Sequence, residues 1–401
     1  MKTETTQNCP ILFLQHDSIF ETYGGVQYYI DDLLQFISQT YGKESLKVLL
    51  AYRKKELLLA PRDYQIESVR LEQGLMKSLS NRFSPSYFFK ALKLCSLFKP
   101  KIIIASHLSL APLAFLISKL TSTPFFVIAY GFEVWGKFQP QDKWALKKAN
   151  GIISISHWTK TILEKQGFDP RVISVVHPSI SPQLIESPNK TFQTTESHPL
   201  KLLTVSRLDS AEQYKGHDHV LQALKQIKMQ EPQLEFSYTI QGNGDDIPRL
   251  KNLVTSLKLD SWVTFMPAVT HREDLKKSYL SHDVFVMPSR FGFWGQCWRG
   301  EGFGIVYVEA AILGLPSIAY RCGGAMDIIE DKKTGLLVEP DNIESLAKAI
   351  LDLAKDRQKL KSLGNNARKA ALNRFTPEKV KLELKEAFSL YPFLDLQPTL
   401  S

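Results

Sequence analysis

The sequence is poor in cysteine, and its cysteines are far apart. The 401 residues include four, and no two of them form a Cys-x-x-Cys pair: Cys9, Cys95, Cys297 and Cys322. This spacing excludes a zinc ribbon and a disulfide framework. Unpaired cysteines are typical of a protein that stays in a reducing compartment.

Long apolar segments are also missing. No window contains the roughly 18 consecutive apolar residues that a membrane-spanning helix needs. The apolar run near the N-terminus stops at residues 15–17, which read Gln-His-Asp. A signal peptide has a longer apolar region and a small-residue cleavage site. We therefore expect a cytoplasmic protein.

The composition excludes disordered and fibrous classes, because 44% of the residues are hydrophobic and 23% are charged. The net charge is +9, from 50 Lys and Arg against 41 Asp and Glu. Such an excess suits nucleic acid, anionic lipid or phosphorylated small molecules. The sequence contains no aromatic-basic motif of a known nucleic-acid-binding module, so we expect no nucleic-acid partner.

Short apolar runs alternate with amphipathic stretches, twice along the chain. Such alternation predicts an α/β protein with two doubly wound, Rossmann-like domains facing across a cleft. We expect an N-terminal domain over residues 1–178, a linker over 179–199 and a C-terminal domain over 200–375. Residues 376–401 are expected to form a helix that packs back on the first domain. The predicted strands are 11–15, 46–52, 101–106, 124–129, 151–155, 172–176, 202–206, 236–241, 262–266, 284–288, 317–320 and 335–338.

The strongest motif follows the strand predicted at 284–288. Glu301 and Glu309 bracket a glycine-rich turn that begins a helix, and free backbone N–H groups at such a turn suit a phosphate. Arg207 lies at the end of another predicted strand, and Lys215 precedes a glycine at a helix start. Two cations that converge on a diphosphate stabilise a leaving phosphate. The Gly242-Asn243-Gly244 turn matches the dinucleotide fingerprint only in part, so it does not predict NAD.

Together these segments resemble glycosyltransferase family 4, which has the GT-B fold. The resemblance covers nearly the whole chain and is most specific at residues 301–309. It implies a nucleotide diphosphate sugar as donor, with Arg207, Lys215 and Glu301 as the catalytic residues. It further implies donor contacts from the positions Gly24, Gly25, Val269, Phe303, Gly304, Ile305 and Glu309. Within these, Glu309 would hold the ribose and Val269 would lie beside the base.

One position departs from the family pattern. Members commonly carry His-Gly-x-Glu after the fourth N-terminal strand, and this chain has Tyr130-Gly131-Phe132-Glu133. A tyrosine hydroxyl can still donate and accept hydrogen bonds. We therefore consider Tyr130, together with His107 at a strand end, as contacts for the acceptor or the sugar.

The resemblance implies transfer with retention of the anomeric configuration, as in polysaccharide or glycolipid biosynthesis. Many glycosyltransferases hold a metal with Asp-x-Asp, and this sequence has no two aspartates separated by one residue. We expect neither a metal site nor a cofactor, because cations and amides can stabilise the leaving group instead. The alternatives are another GT-B activity of the nucleotide-sugar epimerase type and an inactive homologue that only binds nucleotide sugar.

Residues 77–101 contain six basic and five aromatic residues and no acidic one. This composition suits the surface of an anionic membrane. It suits equally a buried helix whose lysines extend to the solvent at its rim. We expect a glycan or a lipid-linked acceptor, and the membrane interpretation, with contact at the inner face of the membrane, favours the lipid-linked one.

Overall fold

The computed structural model describes residues 10–16, 25–52, 63–70, 84–186, 199–269, 271–294 and 297–391. The chain divides into two compact units. Unit 1 comprises Met1–Pro178 together with Val380–Ser401, and unit 2 comprises Ser179–Lys379.

Unit 1 contains a seven-stranded sheet in the order β3-β2-β1-β4-β5-β6-β7, and all of its strand pairs are parallel. The strands are β1 (Ile11–His16), β2 (Leu46–Tyr52), β3 (Gln65–Arg70), β4 (Ile102–Ala105), β5 (Phe125–Ala129), β6 (Gly151–Ser154) and β7 (Ile173–Val175). The helices are α1 (Gly25–Tyr41), α2 (Pro85–Phe98), α3 (Ala111–Thr121), α4 (Phe132–Trp135), α5 (Pro140–Leu146) and α6 (His157–Lys165).

Unit 2 contains a six-stranded parallel sheet and a separate antiparallel hairpin, β12-β13. Its strands are β8 (Leu200–Val205), β9 (Phe236–Gln241), β10 (Val263–Met266), β11 (Val284–Val286), β12 (Gly292–Trp294), β13 (Cys297–Arg299), β14 (Ser317–Tyr320) and β15 (Gly335–Val338). Its helices are α7 (Pro182–Ile185), α8 (His217–Gln230), α9 (Ile247–Ser256), α10 (Arg272–Leu280), α11 (Ile305–Ile312), α12 (Ala325–Ile328), α13 (Ile343–Lys355) and α14 (Arg357–Arg374). The strand order is β10-β9-β8-β11-β14-β15. Successive strands are added toward one edge from β8 to β10 and toward the other edge from β11 to β15, so the switch point lies between β8 and β11.

The central strands are mostly apolar because helices cover both faces of a parallel sheet. Every residue of β4, β5 and β14 is buried. The prediction of two doubly wound α/β units is confirmed, and every predicted strand is present with ends within two residues of those expected.

Three features differ from the expected elements. The edge strand β3 was not predicted, since its residues are only partly covered and carry no apolar run. The hairpin β12-β13 was not predicted either. The pattern of residues 343–375 predicts one helical stretch, but the structure has two helices there, because the side chain of Asp356 caps the second by accepting from the N–H of Lys359 at 2.8 Å.

The last described helix is α15 (Pro377–Ser389), and it adds to the core of unit 1. The ring of Phe388 lies 6.0 Å from that of Phe126 on β5, and the ring of Tyr391 lies 4.4 Å from it. Glu383 accepts from the backbone N–H of His177 at 2.8 Å and binds its ring at 2.8 Å.

Helix α2 carries most of the described part of the basic and aromatic segment; residues 77–83 lie outside the described residues. Tyr87 is buried and donates its hydroxyl to the carbonyl of Leu49 at 2.8 Å, whereas Phe89 and Leu97 are 65% and 70% exposed. Lys90 pairs with Glu67 on β3 at 2.7 Å. The helix is thus neither fully buried nor free of acidic neighbours. Among the described helices, none has the length and apolar character needed to cross a bilayer.

Candidate functional site

The candidate site of unit 2 is built from loops that follow parallel strands, where ligands of such sheets bind. Glycines let these loops touch. A Cβ on Gly242, after β9, would lie 1.9 Å from the carbonyl oxygen of Ser206, and one on Gly244 would lie 2.0 Å from that of Leu208. These glycines are therefore required to pack the β9 loop against the β8 loop.

Two cations follow β8, and one carboxylate holds them both. Arg207 and Lys215 each pair with Glu212, and the Lys215 Nζ lies 2.9 Å from its Oε2. The side chains of Lys215 and Glu212 are 10% and 12% exposed, whereas that of Arg207 is 68% exposed. The ion pairs place both predicted cations around one point. Sequence reasoning missed Glu212, which lies in a polar segment without periodicity.

The backbone around Lys215 is fixed by its neighbours. Gly216 has a φ of 76°, and a Cβ there would lie 2.3 Å from the carbonyl oxygen of Pro288. His217 begins α8 and its Nε2 lies 2.9 Å from the Ser206 hydroxyl. Burial, and then the charge of Lys215, lowers the pKa of His217 to about 3, so this histidine is neutral at pH 7.

Arg290, which follows β11, holds the same turn from the other side. Its backbone N–H donates to the carbonyl of Tyr214 at 2.7 Å, and its Nη2 donates to that of Gln213 at 2.6 Å. Its Nη1 lies 3.1 Å from the Nε2 of His219. The sequence alone predicts no role for Arg290.

The turn from Glu301 to Ile305 begins helix α11. Gly304 has a φ of 88°, and a Cβ there would lie 2.5 Å from the ring of Tyr307. The N–H of Gly324, after β14, donates to the carbonyl of Glu301 at 2.8 Å. Phe303 is 3% exposed and its ring contacts that of Phe375, so only its backbone can serve a ligand.

Glu301 lies in the field of the two cations. Burial raises the pKa of Glu301, while the positive charges of Lys215 and Arg207 act in the opposite direction. Burial likewise raises the pKa of Tyr214, with a contribution from the charge of Glu301. Arg207, Lys215 and Glu301 are thus within electrostatic range of one another, although they are far apart in the sequence.

Glu309 lies on α11, and Tyr279 of α10 donates its hydroxyl to its Oε2 at 2.9 Å. Burial raises the pKa of Glu309 to about 7. Sequence reasoning missed Tyr279, because a fully buried tyrosine in an amphipathic helix has the pattern of a core residue. Val269 follows β10, and the N–H of the preceding Ala268 donates to Asn243 Oδ1 at 3.1 Å.

The candidates of unit 1 lie at the ends of β4 and β5. Tyr130 is 6% exposed and donates its hydroxyl to the carbonyl of Ser106 at 2.6 Å. His107 stacks on it at 6.2 Å, and its Nδ1 accepts from the N–H of Ser109 at 3.1 Å. Both therefore have structural partners, and their contact with a ligand stays a prediction. Gly24 lies outside the described residues, and Gly25 begins α1.

Two doubly wound parallel sheets, with cations, a carboxylate and a glycine turn at the strand ends of the second, define a protein of the GT-B type. The family model for glycosyl transferases group 1 matches residues 187–370, and that for Glycosyltransferase Family 4 matches residues 23–184. The chain belongs to this family of glycosyltransferases, as its motifs predict.

Curated relatives match part of the chain. An uncharacterized glycosyltransferase of Haemophilus influenzae is 28% identical over 51% of this chain and 52% of its own length. A GDP-mannose-dependent α-(1-6)-phosphatidylinositol monomannoside mannosyltransferase of Mycolicibacterium smegmatis is 31% identical over 40% of each chain. The matches thus span about half of these relatives or less.

Solved structures match nearly the whole fold. Anabaena HepE in complex with UDP has a TM-score of 0.71 and 20% identity, over 95% of this chain and 99% of its own. The lipopolysaccharide outer core galactosyltransferase WaaB has a TM-score of 0.75 and 17% identity, over the same shares. At these identities the likeness establishes the fold alone, which is the GT-B fold.

Proposed function

We propose that the protein is a retaining glycosyltransferase that moves a sugar from a nucleotide diphosphate sugar to a glycan or lipid-linked acceptor, in polysaccharide or glycolipid biosynthesis. The observation that carries the proposal is the cluster in which Arg207 and Lys215 both pair with Glu212, with their charges acting on Glu301 just before α11. A diphosphate needs positive charge and N–H donors. The loop after β8 offers the positive charge, and the turn before α11 offers the N–H donors.

In the proposed reaction the bond between the anomeric carbon and the β-phosphate oxygen breaks. Arg207, Lys215 and the first N–H groups of α11 stabilise the charge that develops on that oxygen. An acceptor hydroxyl forms the new bond on the same face of the sugar. Its proton passes to the departing phosphate, so no protein nucleophile is needed. Glu301 would hold sugar hydroxyls during this step.

The remaining residues are assigned donor contacts according to the loops in which they lie. Glu309 would accept from the ribose hydroxyls, while Val269 and Gly25 would approach the donor with their backbones. The mannosyltransferase relative is named for GDP-mannose, and the HepE structure contains UDP. The proposal therefore leaves the choice of base to experiment.

Calorimetric titration with UDP, GDP and ADP, followed by a donor-hydrolysis screen with their sugars, tests the proposal. We expect one nucleotide to bind, and the corresponding nucleotide sugar to be hydrolysed or used for transfer. NMR of the product should show that an α-linked donor gives an α-linked product. Activity should persist in excess EDTA, since we propose no metal. Loss of activity that Mg²⁺ or Mn²⁺ restores contradicts that part, and a free epimerised sugar as product would instead identify an epimerase.

We further propose that α2 contacts an anionic membrane, which suits a lipid-linked acceptor. Phe89 and Leu97 supply exposed apolar area on this helix, and Lys93 supplies positive charge, with each cation contributing about 1 kcal/mol near an anionic surface. Lys93→Glu with Leu97→Ser should abolish co-sedimentation with phosphatidylglycerol vesicles at low salt. Leu390→Ser, which changes a 61% exposed leucine of the same unit, is the control. Equal pelleting of the double variant and the wild type contradicts the proposal.

A further inference from the structure

The hairpin β12-β13 stands between Arg290 and Glu301, and its two faces differ. Strand residues alternate in direction, and directly paired residues share a face. Phe293 pairs with Trp298, while Trp294 pairs with Cys297. Phe291, Phe293 and Trp298 therefore form one face, which we call the aromatic face, and Trp294 lies on the other.

The face with Trp294 anchors the hairpin to the candidate site. The guanidinium carbon of Arg290 lies 5.6 Å from the centre of the Trp294 ring, within the range of a cation–π contact. The same guanidinium donates to the carbonyl of Gln213, two residues before Lys215. The hairpin is thus held in a fixed relation to the turn that carries the proposed diphosphate ligands.

The rings of the aromatic face pack on one another, and Phe293 is the most exposed of the three. The rings of Phe291 and Trp298 stack at 5.0 Å with an angle of 27°, and Phe293 meets Trp298 edge-on at 6.1 Å. Phe293 is 62% exposed. A two-stranded hairpin is marginal by itself, and exposed aromatic rings beside a binding site are typical of a ligand-contacting surface.

Loop order along the sheet indicates which part of the substrates lies there. The strand order β10-β9-β8-β11 puts Val269 at one side, Arg207 and Lys215 after β8, and the hairpin after β11. Glu301, which we propose holds the sugar hydroxyls, follows the last residue of β13 by two positions, so the donor sugar lies beside the hairpin. The molecule that lies beyond that sugar is the acceptor.

We infer that the aromatic face binds the acceptor, and that the acceptor presents a pyranose ring to it. The C–H groups on one side of a pyranose are weakly positive, and the face of an aromatic ring is negative, so the two stack. The described hairpin residues carry no acidic group that would bind a cationic ligand. This inference rests on the proposed function, because the direction of the donor sets the position of the acceptor.

Saturation-transfer difference NMR on the full chain tests it, with methyl α-glucopyranoside, α-galactopyranoside and α-mannopyranoside as probes and glycerol as the negative control. The nucleotide that binds in the titration is present at saturation, and a second series omits it. We expect at least one pyranoside to receive saturation at the C–H protons of one ring face. Phe293→Ala and Phe293→Leu should weaken its binding by roughly 3- to 10-fold, the value of one aromatic contact, and Phe293→Trp should retain it.

Phe89→Ala is the matched control, because Phe89 is 65% exposed but lies in unit 1. Unchanged nucleotide affinity in each Phe293 variant shows that the site remains folded. Absence of saturation with all three pyranosides, or equal signals from wild type and Phe293→Ala, overturns the inference. Weaker binding of nucleotide sugar relative to nucleotide alone in Phe293→Ala would assign the ring to the donor and would also overturn it. Pyranoside binding without any nucleotide binding would instead contradict the proposed function.

Discussion

At the scale of single residues, Glu212 explains how two cations can stand together in the free protein. Arg207 and Lys215 would repel one another, and the shared carboxylate offsets their charges. Lys215 is the more buried of the two, so it loses less side-chain entropy when it meets an anion. The free protein therefore already holds two positive charges at the place where we propose that an anionic ligand binds.

Removing either cation should therefore slow transfer. We expect Lys215→Ala and Arg207→Ala each to lower kcat by about 10²-fold or more, since a charge-assisted contact to the leaving group is lost. Lys277→Ala is the control, because Lys277 is a 75% exposed lysine of unit 2 paired with Asp274. Near-normal kcat/KM in both site variants would show that the diphosphate does not lie there.

Glu309 should display a trade-off between stability and binding. Burial raises the pKa of Glu309 to about 7, so the folded state binds more protons than the unfolded state between about pH 4.5 and 7. The protonated carboxyl of Glu309 therefore stabilises the folded state fully below about pH 4.5, and this stabilisation is lost as the pH rises through about 7. Glu309→Gln should raise the free energy of unfolding at pH 8 by roughly 1–3 kcal/mol, and this gain should vanish near pH 4.5.

The same substitution should weaken nucleotide binding, because an amide replaces one acceptor with a donor. Glu301→Gln should affect nucleotide affinity less and impair transfer more. Urea unfolding at the two pH values and calorimetric titration measure both effects. Nucleotide affinities in the reverse order, or a stability gain that is independent of pH, would contradict the assigned roles.

At the scale of elements, the turn before α11 depends on a residue without a side chain. Gly304 and Gly167 have similar φ values of 88° and 85°, but a Cβ would meet Tyr307 at the first and nothing within 4 Å at the second. Alanine in a left-handed conformation costs roughly 1–2 kcal/mol at either position. Gly304→Ala should cost clearly more than Gly167→Ala and should also weaken nucleotide binding. Equal losses in thermal unfolding would show that the turn tolerates a side chain.

The elements that could be predicted are those whose pattern is set by burial on both faces. The runs that became β4 and β5 are apolar from end to end, and no other environment favours such runs between helices. Strand β3 is an edge strand with polar residues. Each strand of the hairpin β12-β13 is only three residues long. Neither has a periodicity long enough to recognise.

The candidate site divides in a similar way. Arg207, Lys215, Glu301 and Glu309 could be named as candidates because they stand at fixed offsets from strand ends and glycines. Glu212, Tyr279 and Arg290 could not be assigned, since their roles are to hold those residues through contacts between distant segments. A hydrogen bond such as that from Arg290 to Gln213, 77 positions apart, has no local signal in a sequence.

At the scale of the whole molecule, the chain returns to unit 1 after completing unit 2. Helix α15 places Phe388, which is fully buried, 6.2 Å from the ring of Tyr41 and 6.0 Å from that of Phe126. The core of unit 1 is thus completed by residues that follow unit 2 in the sequence. The stability of unit 1 should depend on the far end of the chain.

Phe388→Ala tests this dependence. Truncation of a fully buried phenylalanine costs about 3–5 kcal/mol through lost burial and the cavity that remains. We expect it to lower the unfolding temperature of unit 1 while nucleotide affinity, which we assign to unit 2, stays unchanged at temperatures below that transition. Leu382→Ala is the matched control on the same helix, because Leu382 is 51% exposed and its truncation should cost little.

Calorimetry with and without nucleotide separates the two units, since a ligand raises only the unfolding temperature of the unit that binds it. A loss of nucleotide affinity in Phe388→Ala, or equal destabilisation by Leu382→Ala, would contradict a role of α15 confined to the core of unit 1.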